Sequence, residues 1–194
     1  MTPIDPLACA LYLIVSLSLA GLFHSAWLRS ATSRRLAIPL DGGRTLRGRR
    51  IFGDNKTVRG FVVMVPATAL MFMLAAAVPW IMPGRSLAVW PLTTTGYAAL
   101  GTLAGFGFML GELPNSFVKR QLGVSPGTSP RGRTAALLSF LVDRLDSVVG
   151  MLIAIGFMVP VPALTWAYML VIGPMVHFSF SALLHRLGVK ARAA

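Results

Sequence analysis

Long apolar stretches alternate with short polar segments along the whole chain. The apolar stretches cover Leu7–Leu28, Phe61–Met82, Leu87–Leu110, Thr134–Val159 and Val161–Leu184. A helix needs about 20 mainly apolar residues to cross a bilayer. The pattern therefore predicts an all-α integral membrane protein with five transmembrane helices, folded as a single transmembrane domain over residues 1–194.

Composition supports this prediction. Hydrophobic residues make up 55% of the chain and charged residues only 12%, whereas soluble domains carry about 25% charged residues. The single cysteine, Cys9, excludes an internal disulfide and a zinc site built from cysteines. The first apolar segment follows Asp5 rather than a basic region and is long for a signal peptide, so we interpret it as a retained helix.

Positive charge is concentrated in three places. Of 18 Lys and Arg residues, nine lie between Arg29 and Arg59, five between Lys119 and Arg144, and three after His185. The positive-inside rule then places the first loop, the third loop and the C-terminus in the cytoplasm, and the N-terminus outside. The net charge of +12 suits anionic lipid headgroups or nucleotide phosphates. We expect a cell (plasma) membrane location and no nucleic-acid partner.

The third apolar segment is rich in glycine. The pairs Gly101–Gly105 and Gly107–Gly111 have the spacing that lets two helices approach closely. This spacing predicts tight packing within the helix bundle or in a homodimer. A ligand lying against the helix backbone is the alternative.

The fourth apolar segment contains the charged run "DRLD", with Asp143, Arg144 and Asp146. Each such charge would cost about 2.5–3.5 kcal/mol in contact with lipid, which indicates a functional role. Asp143 and Asp146 lie on one helix face. Their two carboxylates offer only oxygen ligands, which Mg²⁺ prefers. The alternatives are a buried ion pair with Arg144 and an ion-transport or proton-relay site.

The run "GELPNSFVKRQLG" follows the third apolar segment. Glu112 is next to Pro114, which we predict to end the helix. Ser116 and Lys119 would share a face of a further short helix, with Arg120 beside them. A carboxylate near hydroxyl, ammonium and guanidinium groups suits a metal-bound phosphate. The alternative is a basic cluster that only fixes the topology.

The first loop contains the run "RRIFGDNKTVRG". Gly53 and Asn55 belong to a predicted turn, and Lys56, Thr57 and Arg59 come at the entrance to the second helix. Backbone N–H groups at a helix start favour anions, although the spacing is not that of a P-loop. A solvated basic loop is the alternative.

Together these runs carry a family resemblance. "SFVKRQLG" followed by "DRLDS" resembles the signature of the CTP-dependent phosphatidate cytidylyltransferases. The small size, the five predicted spans and "IFGDNKTVRG" are most similar to the CDP-archaeol synthase branch of that superfamily. The resemblance covers about residues 49–150. Such enzymes transfer CMP from CTP to the phosphate of a membrane lipid, and they release pyrophosphate.

The resemblance implies roles for the residues above. Metal ligands would be Glu112, Asp143 and Asp146, and catalytic residues would be Lys119, Asp143 and Asp146. Substrate-binding residues would be Gly53, Asn55, Lys56, Thr57, Arg59, Ser116, Arg120 and Arg144. The implied cofactor is Mg²⁺, with Mn²⁺ as an alternative. The implied partners are CTP, a phosphatidate- or archaetidate-like lipid phosphate and membrane lipids, at a site that faces the cytoplasm.

The chain departs from the family pattern at two points. Glu112 stands where the family usually has Asp after Gly, and the Lys-Asp and His-Gly-Gly elements of the bacterial phosphatidate enzymes are missing between Arg120 and Asp143. These departures leave the lipid acceptor open. Two other functions also stay open: a non-catalytic scaffold for lipid synthesis and a small ion-coupled transporter that uses Asp143 and Asp146.

Overall fold

The computed structural model describes residues 4–77 and 89–186. Its elements are α1 (Pro6–Trp27), α2 (Ala31–Arg35), β1 (Thr45–Leu46), β2 (Arg49–Arg50), α3 (Val58–Ala77), α4 (Thr94–Gln121), α5 (Arg133–Gly156) and α6 (Ala163–Arg186). The two short strands form an antiparallel hairpin in which Thr45 pairs with Arg50. The described chain is thus mainly helical, as the apolar pattern predicts.

Three of the predicted segments match their helices, α1, α5 and α6, to within three residues at each end. α3 begins at Val58, and its predicted end at Met82 lies outside the described residues. Within the described part of the chain, α1 and α3 are long and apolar enough to cross a membrane, each with a mean hydropathy of 2.1. The number of spans, their orientation and the single domain over the whole chain stay predictions.

α4 differs most from its predicted segment. It begins at Thr94, where the hydroxyl of Thr93 accepts a hydrogen bond from Gly96 N at 3.1 Å, and it runs through Pro114 to Gln121. The prediction that Pro114 ends the helix is therefore wrong. Proline removes one backbone hydrogen bond, but side chains of the turns beyond it bond to α5 and help to hold this part of α4 in place.

The glycines of α4 bring three helices together. A Cβ on Gly101 would lie 2.6 Å from the carbonyl oxygen of Thr68 in α3. Gly107 and Gly111 face the backbone of α5 around Gly150 in the same close manner. Side chains cannot fit at these positions, so the predicted close packing is confirmed within one chain. The homodimer stays a prediction.

Aromatic residues fill the end of the bundle away from the charged segments. Tyr12 of α1 donates a hydrogen bond to the carbonyl of Phe72 at 2.6 Å, and its ring lies edge-on to Phe72 and Trp90. Trp90 in turn donates to the carbonyl of Pro160 at 2.9 Å. These bonds satisfy the polar atoms of large buried rings. The charged residues discussed next gather at the opposite end of the same helices.

Candidate active site

Three carboxylates are connected by hydrogen bonds between α4 and α5. Ser147 Oγ lies 2.9 Å from Glu112 Oε1 and 3.3 Å from Asp146 Oδ1. Asn115 Nδ2 donates to Asp143 Oδ1 at 2.6 Å and to Asp146 Oδ2 at 2.8 Å. We call these five residues the carboxylate chain. The structure therefore brings all three predicted metal ligands into one connected group.

Two lysines neutralise the ends of the carboxylate chain. Lys56, from the first loop, forms an ion pair with Glu112. Lys119, one turn beyond Asn115 on α4, contacts both carboxylate oxygens of Asp143. The Asp143 side chain is 42% exposed, so this end of the group is open to solvent. The first loop, α4 and α5 thus meet at one polar site, as the sequence motifs predict.

The chemistry of this group fits a hard divalent cation. Mg²⁺ prefers oxygen ligands and usually takes one or two carboxylates together with phosphates and water. In the described residues, no three acidic, histidine or cysteine side chains gather around one point. Lys56 and Lys119 supply compensating positive charge beside the carboxylate oxygens, and the neutral amide of Asn115 donates hydrogen bonds to Asp143 and Asp146. The role of Mg²⁺ or Mn²⁺ stays a prediction.

Arg144 contacts two aromatic rings and donates a hydrogen bond to a backbone carbonyl. Its Nη1 donates to the carbonyl of Phe140 at 2.9 Å, and its guanidinium carbon lies 3.3 Å from the centre of the Phe140 ring. The Phe178 ring is also near, at 5.6 Å. Stacking of this kind is favourable for a cation. The guanidinium is thereby fixed in the wall of the cavity described below.

Asp41 organises the first loop from its interior. Its side chain is fully buried and accepts a hydrogen bond from Arg50 Nη2 at 2.6 Å. The backbone N–H groups of Phe52 and Gly53 donate to Asp41 Oδ2, each at 3.0 Å. These donors hold the pKa of Asp41 well below its usual range. The turn that leads to Lys56 is fixed in this way.

Gly53 and Arg120 lie side by side. Gly53 has φ +86°, and a Cβ there would lie 3.0 Å from Pro126 Cγ and 3.4 Å from Arg120 Cδ. Arg120 is only 8% exposed, and its Nε and Nη1 have no hydrogen-bond partner in the described residues. Buried guanidinium groups normally have partners. An anion such as a phosphate would supply the missing acceptors.

A cavity of about 350 Å³ opens next to Glu112. Its polar lining includes the predicted site residues Asn55, Lys56, Thr57, Arg59, Glu112 and Arg144. Its apolar walls include Ile14, Leu17, Met64, Phe108, Val148 and Met169. The remaining predicted residues, Gly53, Ser116, Lys119, Arg120, Asp143 and Asp146, do not line it. The candidate site therefore has an amphipathic cavity on one side and the Asp143 end of the carboxylate chain on the other.

The sequence motifs did not single out three residues of this site. Asn115 could have been found, because Glu112, Asn115 and Lys119 share one helix face by their spacing. Ser147 directly follows Asp146 but carries no signal of its own. The role of Asp41 depends on a loop that folds back on itself. In the sequence, only its negative charge within a basic segment distinguishes Asp41.

Similarity to known proteins shows the family of this chain. A family model described as CarS-like, CDP-archaeol synthase, matches residues 30–193. The chain belongs to the CDP-archaeol synthase family. The CDP-archaeol synthase of Halobacterium salinarum is 38% identical over 161 residues, which cover 78% of this chain and 81% of the relative. That of Methanospirillum hungatei is 31% identical over 166 residues, covering 79% and 87%.

A solved structure shares the fold of this CDP-archaeol synthase family member. It is described as an intramembrane enzyme for archaeal membrane lipid biosynthesis, and it is 23% identical. The similarity has a TM-score of 0.60 and covers 85% of this chain and 90% of the other. Together with the apolar helices α1 and α3, the shared fold supports an integral membrane protein.

Proposed function

We propose that this protein transfers CMP from CTP to the phosphate of a membrane lipid and releases pyrophosphate. Membership of the CDP-archaeol synthase family supports a cytidylyltransferase. The name of the relatives refers to CDP-archaeol, so an archaeol-type lipid phosphate is the acceptor that we propose. The active site would lie on the cytoplasmic side of the cell membrane. The most basic loop of the chain contributes to this site, and basic loops are found mainly on the cytoplasmic side.

The observation that carries this proposal is the position of the carboxylate chain beside an amphipathic cavity. Lys56, Arg59 and Arg144 make one part of the cavity cationic, whereas most of its walls are apolar. A lipid with a phosphate group has the same division between charge and hydrocarbon. The lipid phosphate would therefore bind near Glu112, with its chains along the apolar walls.

The nucleotide would bind on the side of Arg120. The Nε and Nη1 atoms of Arg120, which have no hydrogen-bond partner among the described residues, lie beside Gly53, where the backbone comes close to the side chain. Phosphate oxygens are strong acceptors for a guanidinium group. Lys119 and Lys56 lie at the two ends of the carboxylate chain and would stabilise charge on the departing pyrophosphate. Asn55, Thr57 and Ser116 complete the proposed substrate-binding set.

The reaction itself needs alignment more than acid–base chemistry. The second pKa of a phosphate monoester is about 6, so the lipid phosphate is already a nucleophile at neutral pH. One of its oxygens would form a bond to the α-phosphorus of CTP. The bond from that phosphorus to the bridging oxygen of the β-phosphate would break, and pyrophosphate would leave. The cationic side chains hold the two substrates in line for this exchange.

Glu112, Asp143 and Asp146 are the residues that would hold Mg²⁺, or Mn²⁺ in its place. A bound divalent cation would neutralise phosphate oxygens as charge develops on them. Asn115 and Ser147 would keep the carboxylates in position for this role, because they link the three side chains to one another.

The direct test is incubation of purified protein with labelled CTP, Mg²⁺ and a panel of lipid phosphates. The panel should contain an archaeol-type ether lipid phosphate and a straight-chain phosphatidate. We expect a labelled CDP-lipid, with the ether lipid as the better acceptor. If no lipid in the panel is labelled, while the same protein still binds CTP, the scaffold function is favoured over the enzyme.

A further inference from the structure

α1 forms one complete wall of the cavity. The residues that it contributes are Ile14, Leu17, Ser18, Gly21, His24 and Ser25, together with Leu28, which directly follows the helix. Their spacing of three and four residues places them on one helix face. The residues matched by the family model begin at position 30, so this wall lies outside the matched region. α1 is therefore a part of the cavity that the family match does not cover.

The wall changes character along its length. Ile14 and Leu17 are apolar, whereas His24 and Ser25 are polar and line the same cavity as Lys56. With a rise of 1.5 Å per residue, Gly21 lies about 10 Å along the helix from Ile14. Gly21 thus lies between the apolar residues Ile14 and Leu17 and the polar residues His24 and Ser25, about one turn beyond the polar Ser18.

Gly21 faces open space. A Cβ added to it would meet no atom of the described residues within 4 Å, although Gly21 lines the cavity. Gly101 in α4 is different, because a Cβ there would lie 2.6 Å from the backbone of α3. Glycine weakens a helix interior relative to alanine, and helix packing does not require it at position 21. The absent side chain leaves room within the cavity.

We propose that Gly21 is a specificity-determining residue for the lipid acceptor. The space beside it would hold the part of the lipid between its phosphate and its chains. This inference rests on the proposed function. Charge complementarity identifies the occupant: Lys56, Arg59 and Arg144 suit a phosphate at the polar end, and Ile14 and Leu17 suit hydrocarbon beyond Gly21.

The test fills this space with a side chain. Gly21→Leu should raise the KM for the lipid phosphate by about tenfold or more, because an added side chain overpacks an occupied site. The KM for CTP should stay within about twofold, because Arg120 and Lys119 do not line the cavity, and Lys56, which does, keeps its ion pair with Glu112. Gly21→Ala, which adds a single methyl group, should show a smaller effect in the same direction.

Gly156→Leu is the matched control. Gly156 is also helical, and it does not line the cavity. Within the part of the chain that the structure describes, a Cβ on Gly156 also meets no atom within 4 Å. We expect its kinetics to equal those of the wild type. Thermal unfolding of all variants, with and without CTP, shows whether each is folded and binds nucleotide.

The outcomes separate this inference from the proposed function. Absence of product from the wild-type protein with every lipid would overturn the proposed function and this inference with it. Wild-type activity with an unchanged lipid KM in Gly21→Leu would overturn the inference alone. Parallel loss of lipid use, CTP binding and thermal stability in both Gly21 variants would also overturn it, because Gly21 would then act through the fold.

Discussion

Arg50 Nη2 lies 2.6 Å from Oδ1 of the buried Asp41, and Arg50 Nη1 lies 2.8 Å from Asp54. The Asp41 carboxylate also accepts hydrogen bonds from the backbone on the far side of the hairpin. These bonds close the first loop and fix the turn that precedes Lys56. Since Lys56 reaches Glu112 on α4, the geometry of the candidate site depends on a carboxylate that does not line the amphipathic cavity beside it.

Asp41→Asn should destabilise the protein by about 1.5–3 kcal/mol, the usual worth of hydrogen bonds to a charged group. The amide cannot accept on both sides, so a backbone N–H or the guanidinium loses its acceptor. Thermal unfolding in detergent measures the change. Asp54→Asn is the control, because the Asp54 side chain is 70% exposed. Equal unfolding temperatures for wild type and Asp41→Asn would show that the loop is held by other contacts.

The contribution of Asp41 should depend on pH. The pKa of Asp41 is lowered by the hydrogen bond from Arg50 and by backbone donors, so the folded state favours the ionised form. Its stabilisation is complete above the pKa of an unfolded Asp, about 3.9, and it is lost as the pH falls through the lower native pKa. The difference in unfolding temperature between wild type and Asp41→Asn should narrow below about pH 4. A constant difference from pH 7 to pH 3 would contradict this assignment.

Asp143→Asn should lower nucleotidyl transfer by about a hundredfold or more while the protein stays folded. Changes to groups around a metal ligand already cost about 10–100-fold in activity or metal affinity, and Asp143 is proposed as a ligand. Lys119 would lose its ion-pair partner, but the Asp143 side chain is 42% exposed, so water can replace the carboxylate. Product formation is measured at low and high Mg²⁺. Full activity at both concentrations would remove Asp143 from the site.

Glu112 tests the departure from the usual family residue. Glu112→Gln should lose most activity, because a neutral amide oxygen is a poor replacement for a carboxylate. Glu112→Asp should keep measurable activity but need more Mg²⁺, because the shorter side chain reaches less far from α4. Activity of both variants is titrated against Mg²⁺ and Mn²⁺. If neither variant changes the metal requirement and both unfold earlier, Glu112 serves only to pair with Lys56 and Ser147.

The predicted topology can be tested by cysteine labelling. Single cysteines are placed at positions 30–55 on a Cys9→Ala background. They should react with a membrane-impermeant reagent only after the cells are permeabilised. The reason is the density of basic residues in this loop. A cysteine near the N-terminus should react in intact cells. Labelling of the loop in intact cells would reverse the orientation and place the candidate site outside.

The positions of most helices could be predicted from the sequence alone. A run of about 20 apolar residues favours a helix, the conformation that satisfies its own backbone in a bilayer. α1, α5 and α6 end close to their predicted limits. Local spacing also placed Asp143 and Asp146 on one face and the α4 glycines at close contacts. The helix faces on which these residues lie depend only on neighbours within three or four residues.

Other features depend on partners that are distant in sequence. Pro114 is a helix breaker by local rules, yet α4 continues because Asn115 and Lys119 bond to α5. Arg144 could have paired with a neighbouring Asp, but the structure places it against Phe140 and Phe178. Local pattern cannot choose between such alternatives, since each is compatible with the same helix.

The sequence by itself determined that this chain forms apolar helices, with acidic pairs and basic loops at set positions along them. Only the tertiary structure decided that Asn115 and Ser147 join three carboxylates, that Asp41 closes the first loop, and that α1 lines a cavity with Gly21 open to it. The physical reason is that helix formation is governed by residues a few positions apart. A site is governed by side chains that meet only when the helices pack, and the packing here is set by backbone contacts at the α4 glycines.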